Sequence, residues 1–171
     1  MFTQKKQLSA MAIACALFVT SGLPKMAQAA QSSGVNSSAG VLASCSIIGS
    51  TIAFGNYNST QVDQTGNIAV LCSNGVSYTI ALDAGAGAGA GAGATTSQRK
   101  LTGSLGGSAL NYLLYRDAAR TAVWGTVIGS DTQASTGNGL VQNLTVYGRI
   151  ASAQTPLAGV YTDTVTVTLT Y

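Results

Sequence analysis

The side chains able to do chemistry are few in this chain of 171 residues. It has no histidine and no glutamate, and its acids are Asp63, Asp83, Asp117, Asp131 and Asp163. A Ser–His–Asp triad, a Cys–His pair and a paired-glutamate site are therefore excluded by composition. Ser97-Gln98-Arg99-Lys100 matches the S-x-x-K pattern of serine acyltransferases, yet it follows a Gly/Ala tract instead of opening a helix, and its companion motifs are missing. Two aspartates facing each other across a cleft could cleave a glycosidic bond, but the five are scattered and each lies near a turn. No enzymatic activity and no cofactor are expected.

The cysteines are Cys15, Cys45 and Cys72. Cys15 lies in an N-terminal segment with Lys5 and Lys6 ahead of an apolar run from Leu8 to Val19, then Ala27-Gln28-Ala29. This order of charge, short apolar core and small residues reads as a secretory signal peptide over residues 1–29. The run is shorter than the roughly 20 residues that span a bilayer, so no membrane insertion is expected. Export places Cys45 and Cys72 in an oxidising compartment, where they are expected to form one disulfide. Two cysteines without histidine cannot furnish a zinc coordination sphere, so no metal is expected.

Removing the signal takes away Lys5, Lys6 and Lys25 of the eight basic residues, leaving five against the five aspartates. The mature net charge is then zero, and nucleic acid loses its electrostatic support as a partner. Charged residues make up only 8% of the chain, against about 25% in ordinary domains. With so little repulsion between copies, self-association is favoured.

The elements that must position these residues alternate apolar and polar side chains with period two, between clusters of Gly, Ser, Asn and Thr. Strands are expected over Ser46–Phe54, Asn67–Cys72, Ser77–Leu82, Leu110–Tyr115, Leu140–Arg149 and Asp163–Tyr171. In the last, Val165, Val167, Leu169 and Tyr171 share one face and four threonines the other. About six strands in roughly 140 residues fit one all-β sandwich of immunoglobulin size. The Gly/Ala tract at 84–94 reads either as a silk-like stacking strand or, preferably, as a loop.

Residues 31–44 precede the first mature cysteine with Val35, Ser37, Ala39 and Val41 at alternate positions. They read either as a strand without a partner in its own sheet or as a frayed polar terminus.

The run Leu110 to Thr121, which includes Tyr115, Arg116, Asp117 and Arg120, is followed by Val123-Trp124-Gly125. Together with Leu144 to Ile150 and Ala158 to Thr168, it resembles the spore coat protein U domain family, and the resemblance extends over the mature chain. That family is similar to the subunits of archaic, Csu-type chaperone-usher pili. The resemblance implies an incomplete immunoglobulin-like β-sandwich over 45–171, completed by a donor strand from the 30–44 extension of a neighbouring subunit. Implied partners are a periplasmic pilus chaperone, an outer-membrane usher and neighbouring pilus subunits. The implied place is the cell surface, in a pilus serving attachment and biofilm formation.

On this sequence, Val35, Ser37, Ala39 and Val41 fall on the donor. Val165, Val167, Leu169 and Tyr171 fall on the strand bordering the acceptor groove, where the chaperone would also pair. Tyr115-Arg116-Asp117-Ala118-Ala119-Arg120 reads as a strand ending in a tight turn, with Asp117 capping it and Arg116 or Arg120 free to pair with Asp117. Trp124 nearby is the alternative, a receptor anchor. Other readings of the whole chain are a self-contained secreted coat protein and a carbohydrate-binding adhesive module.

Overall fold

The computed structural model describes residues 31–86, 93–104 and 108–171. The signal peptide expected at 1–29 and the central part of the Gly/Ala tract lie outside the described residues. Residues Gly40–Tyr171 form one compact unit. Nine strands are assigned among the described residues: β1 Cys45–Ile48, β2 Val62–Cys72, β3 Ser77–Leu82, β4 Arg99–Gly103, β5 Ala109–Tyr115, β6 Gln133–Thr136, β7 Val141–Ile150, β8 Tyr161–Thr162 and β9 Val167–Thr170.

They make two antiparallel sheets of unequal width, six strands in the order β1-β2-β7-β5-β4-β8 facing three in the order β6-β3-β9. The long β2–β7 ladder, from Val62↔Ile150 to Leu71↔Val141, turns Ile68, Val70, Val146 and Ile150 inward by simple alternation. Leu110, Tyr112 and Leu114 of β5 join them, and Tyr78, Ile80 and Leu82 of β3 close the core from the narrow sheet. Each such aliphatic side chain contributes about 1.5–3 kcal/mol when fully buried.

The strand expected over Ser77–Leu82 is present with the same bounds, and the other expected strands are present with altered ones. The one expected over Ser46–Phe54 stops at Ile48, because the Ser50 hydroxyl, instead of a backbone carbonyl, accepts the Asn67 N–H at 2.6 Å and the chain leaves the ladder. Residues 49–57 then cross the inner face of the wide sheet. There Ile52 lies over Gly66, and Ile52 and Phe54 lie over Gly148. A Cβ at Gly66 would meet Ile52 Cγ1 at 2.5 Å, and one at Gly148 would meet Phe54 Cζ at 2.7 Å, so both crossings need glycine.

The strand expected over Asp163–Tyr171 contracts to β9. Before it, Asp83 Oδ1 accepts the Thr166 N–H at 2.8 Å, a side chain again replacing a ladder carbonyl. Strands β4, β6 and β8 were not foreseen; β4 begins at Arg99, a few residues after the Gly/Ala tract, and β8 is two residues long.

A candidate acceptor groove

The narrow sheet ends at β9, which pairs with β3 on one side only. Beyond its free side, across a gap, runs the crossing segment 49–57. The two walls enclose a cavity of about 320 Å³ between Gly49–Phe54 and Asp163–Val167, floored by Ile68, Leu101, Leu114 and Val146 of the wide sheet. It continues into a second cavity of about 890 Å³ between Thr51–Tyr57 and Pro156–Asp163, floored by Leu101, Leu110 and Ile150. Thr51, Ile52, Phe54, Leu101 and Asp163 line both. The result is one trough that opens on the hydrophobic core, aliphatic along its floor and carrying polar side chains such as Ser50, Thr51, Asn67 and Thr164 on its walls.

The walls are held independently of any occupant. On one side, Phe54 meets the edge of Tyr112 at 5.8 Å between centroids. The Tyr57 hydroxyl donates to the Ala151 carbonyl and accepts the Gln154 N–H, both at 2.9 Å. On the other, the Tyr161 hydroxyl donates to the Leu157 carbonyl at 2.6 Å. The Ala86 N–H donates to the Thr164 carbonyl at 2.8 Å and the Asp83 N–H to the Thr166 carbonyl at 3.1 Å.

One carboxylate, that of Asp163, lies in the lining of the trough. The Tyr112 hydroxyl donates to Asp163 Oδ2 at 2.5 Å, and burial together with this carboxylate raises the phenol pKa well above its ordinary value. Beneath lies Arg99, fully buried, whose guanidinium donates to the carbonyls of Asp83, Thr96, Leu82 and Trp124 at 2.7–3.0 Å. Burial lowers its pKa from the ordinary value, with Asp83, Asp163 and Asp131 opposing. Burial works to raise the Asp83 pKa, but hydrogen bonds from Thr166 and Gly85 outweigh it and hold that carboxyl below the usual range. Arg99 and Lys100 of the S-x-x-K match thus sit at the start of β4, with Arg99 serving packing.

Val165, Val167 and Leu169 pack half-buried against the core, whereas Tyr171 is 61% exposed. Residues 31–44 carry no secondary structure and are exposed throughout, Val35 and Val41 each at 93%; Ser37 and Ala39 lie in the same exposed run. Cys45 and Cys72 are joined by a disulfide.

The motif around Tyr115 is a clasp at the end of β5. Asp117 accepts the N–H groups of Thr121 and Ala122 at 2.8–3.1 Å, first the Ala122 bond and then those of Thr121 holding its carboxyl below the usual range. Neither arginine pairs with it. Arg116 donates to the Thr132 and Ser130 carbonyls, while Arg120, at φ +56°, reaches Asp63 at 3.5 Å and lies 5.7 Å from the Tyr147 ring centroid. The carbonyls are the nearer acceptors for Arg116, and the turn aims Arg120 back across the wide sheet. Trp124 is 1% exposed and donates its indole N–H to the Ile80 carbonyl at 2.9 Å, so it anchors the core and cannot present itself to a receptor.

Sequence reasoning did not find Ile52 and Phe54 as a groove wall, nor Asp163 and Tyr112 as its polar point. The available signal was Gly66 and Gly148, two gaps in the inward-facing series of adjacent strands.

Comparison with known proteins finds similarity at the level of family, sequence and fold. The family profile described as Spore Coat Protein U domain matches residues 31–168. Protein U of Myxococcus xanthus is 30% identical over 155 residues, covering 84% of this chain and 86% of that protein. A chain in the crystal structure of the CsuC–CsuE chaperone–tip adhesion subunit pre-assembly complex, from the archaic chaperone-usher Csu pili of Acinetobacter baumannii, superposes with a TM-score of 0.58 at 21% identity. That match covers 77% of this chain and 40% of the other, so it speaks for the immunoglobulin-like fold.

Proposed function

The chain belongs to the Spore Coat Protein U domain family, and on that footing we propose that it is a structural subunit of a chaperone-usher pilus, assembled by donor-strand exchange. The observation that carries this reading is the trough: the unpaired edge of β9 faces the crossing segment over a cavity of about 320 Å³ with an aliphatic floor that belongs to the core. Left open in water, such a trough is an aggregation hazard. An extended segment added there would gain main-chain hydrogen bonds along β9 and bury alternate side chains against the floor.

The proposed occupant is the 31–43 segment of a neighbouring copy, preceded in the periplasm by a chaperone strand that an outer-membrane usher would exchange for it. The cell surface, in a fibre serving attachment and biofilm formation, is the place this reading implies. A self-contained coat protein would need a strand within residues 31–44, and they carry none. The reading involves no catalysis.

The test is the full chain collected from producing cells and run unheated on denaturing gels, with and without residues 31–43. A heat-sensitive ladder that disappears on truncation is expected. A stable monomer indifferent to the truncation would refute the assignment.

A further inference from the structure

Among the described residues, Asp163 is the one charged side chain in the lining of the trough, whose floor is aliphatic on either side of it. Asp163 lines both cavities and so marks the midpoint. Its Oδ2 accepts from Tyr112 and its Oδ1 from the Thr164 N–H at 2.7 Å. A carboxylate has about four lone-pair sites, so it retains capacity toward the groove. Any strand laid beside residues 157–167 must place one side chain over this group.

On the proposed donor the apolar-facing series is Ser33, Val35, Ser37, Ala39, Val41. Putting valine or alanine over Asp163 would cover a charge with hydrocarbon and gain no hydrogen bond, a cost of about 1–3 kcal/mol. Ser33 there would leave one half of the trough with only Gln31 beyond it. With Ser37 over Asp163, Val35 enters one cavity and Ala39 and Val41 enter the other, whichever direction the strand runs.

Resting on the donor-strand reading, we infer that the register of exchange is set by a polar match, the Ser37 hydroxyl of one copy donating to the Asp163 carboxylate of the next. Because side chains alternate with period two, the competing registers differ by two residues, and the apolar side chains of this donor are too small and too alike to separate them. The carboxylate supplies the discrimination.

The pairing predicts which cysteines meet across the joint. Residues directly opposite have Cβ atoms about 4.5–5.5 Å apart, so in the full chain Val165→Cys is expected to form an intermolecular disulfide when combined with Val35→Cys, if the strand runs antiparallel to β9, or with Ala39→Cys, if parallel. Cross-linking of Val165→Cys with Ser37→Cys instead would overturn the register while leaving strand exchange standing. Cross-linking with none of them, together with loss of the ladder, would remove both readings.

A second measurement reads the chemistry. In a purely apolar groove Ser37→Val would strengthen the joint, whereas here it is expected to dissociate on heating about tenfold faster, the loss of one charge-assisted hydrogen bond, and Ser37→Thr is expected to match the parent. A Ser37→Val ladder as durable as the parent's would overturn the polar match.

Discussion

Replacing Gly148 by alanine tests whether the crossing segment is a wall of the groove. The new methyl would lie 2.7 Å from Phe54 Cζ and 2.9 Å from Cε1, where carbon atoms settle at about 3.5–4.0 Å. Strand β7 is held between β2 and β5 and cannot withdraw, so Phe54 must move. Overpacking of this kind costs about 1–3 kcal/mol, and losing the edge contact with Tyr112 adds about 0.5–1.5 kcal/mol. A total of roughly 2–4 kcal/mol corresponds to about 30- to 1,000-fold in the equilibrium that closes the groove. The assay is thermal dissociation of the multimer ladder, with the parent chain as control. The variant should fall apart at a markedly lower temperature while its own 31–43 segment still enters an unaltered neighbour. A Gly148→Ala ladder as heat-resistant as the control's would show that residues 50–54 do not lie across β7.

Three further outcomes follow from the same geometry. Replacing both Cys45 and Cys72 by alanine should lower stability by about 3 kcal/mol, the value for closing a loop of this size, measured by denaturant unfolding of otherwise identical multimers. Arg99→Met removes the donors from four carbonyls, each costing about 1–3 kcal/mol when buried unpaired, and offsets part of this by removing a desolvated charge; a net loss of about 3 kcal/mol is expected in the same assay. The folded-state pKa of Asp83 lies below its ordinary value, so its ionised form is favoured by folding. That contribution is fully present above pH about 4 and is lost as the pH falls through the folded value. Asp83→Asn should therefore lower the unfolding temperature at neutral pH and flatten its decline below pH 4, the variant and parent curves converging in acid.

How much of this was legible in the chain depends on what held each element. Where the period-two pattern coincides with a continuous ladder, as in Ser77–Leu82, the strand is found with its bounds. Where a side chain substitutes for a ladder carbonyl, as Ser50 does for Asn67 and Asp83 for Thr166, the pattern runs on while the strand stops. Arg99 opens a short strand through hydrogen bonds to carbonyls distant in sequence, which no local pattern announces. The groove shows the same division: Val165 and Val167 declare themselves by alternation, but the opposite wall depends on two glycines whose role emerges only when β2 and β7 are paired. Asp117 was readable as a cap because its partners lie four and five residues ahead, whereas the partners of Arg116 and Arg120 belong to other loops and strands.

The position of the disulfide has a mechanical meaning. In a fibre joined through residues 31–43, pull on a subunit enters at the start of β1, a strand of only four residues at the margin of the wide sheet. Hydrogen bonds loaded there one after another would peel from the Cys45 end, where Cys45 faces Cys72. The covalent bridge stands at that first position, so tension bypasses β1 and passes directly into β2, whose long ladder with β7 shares the load across ten residue pairs. A short marginal strand can then serve as the point of attachment because it is never asked to bear the strain alone.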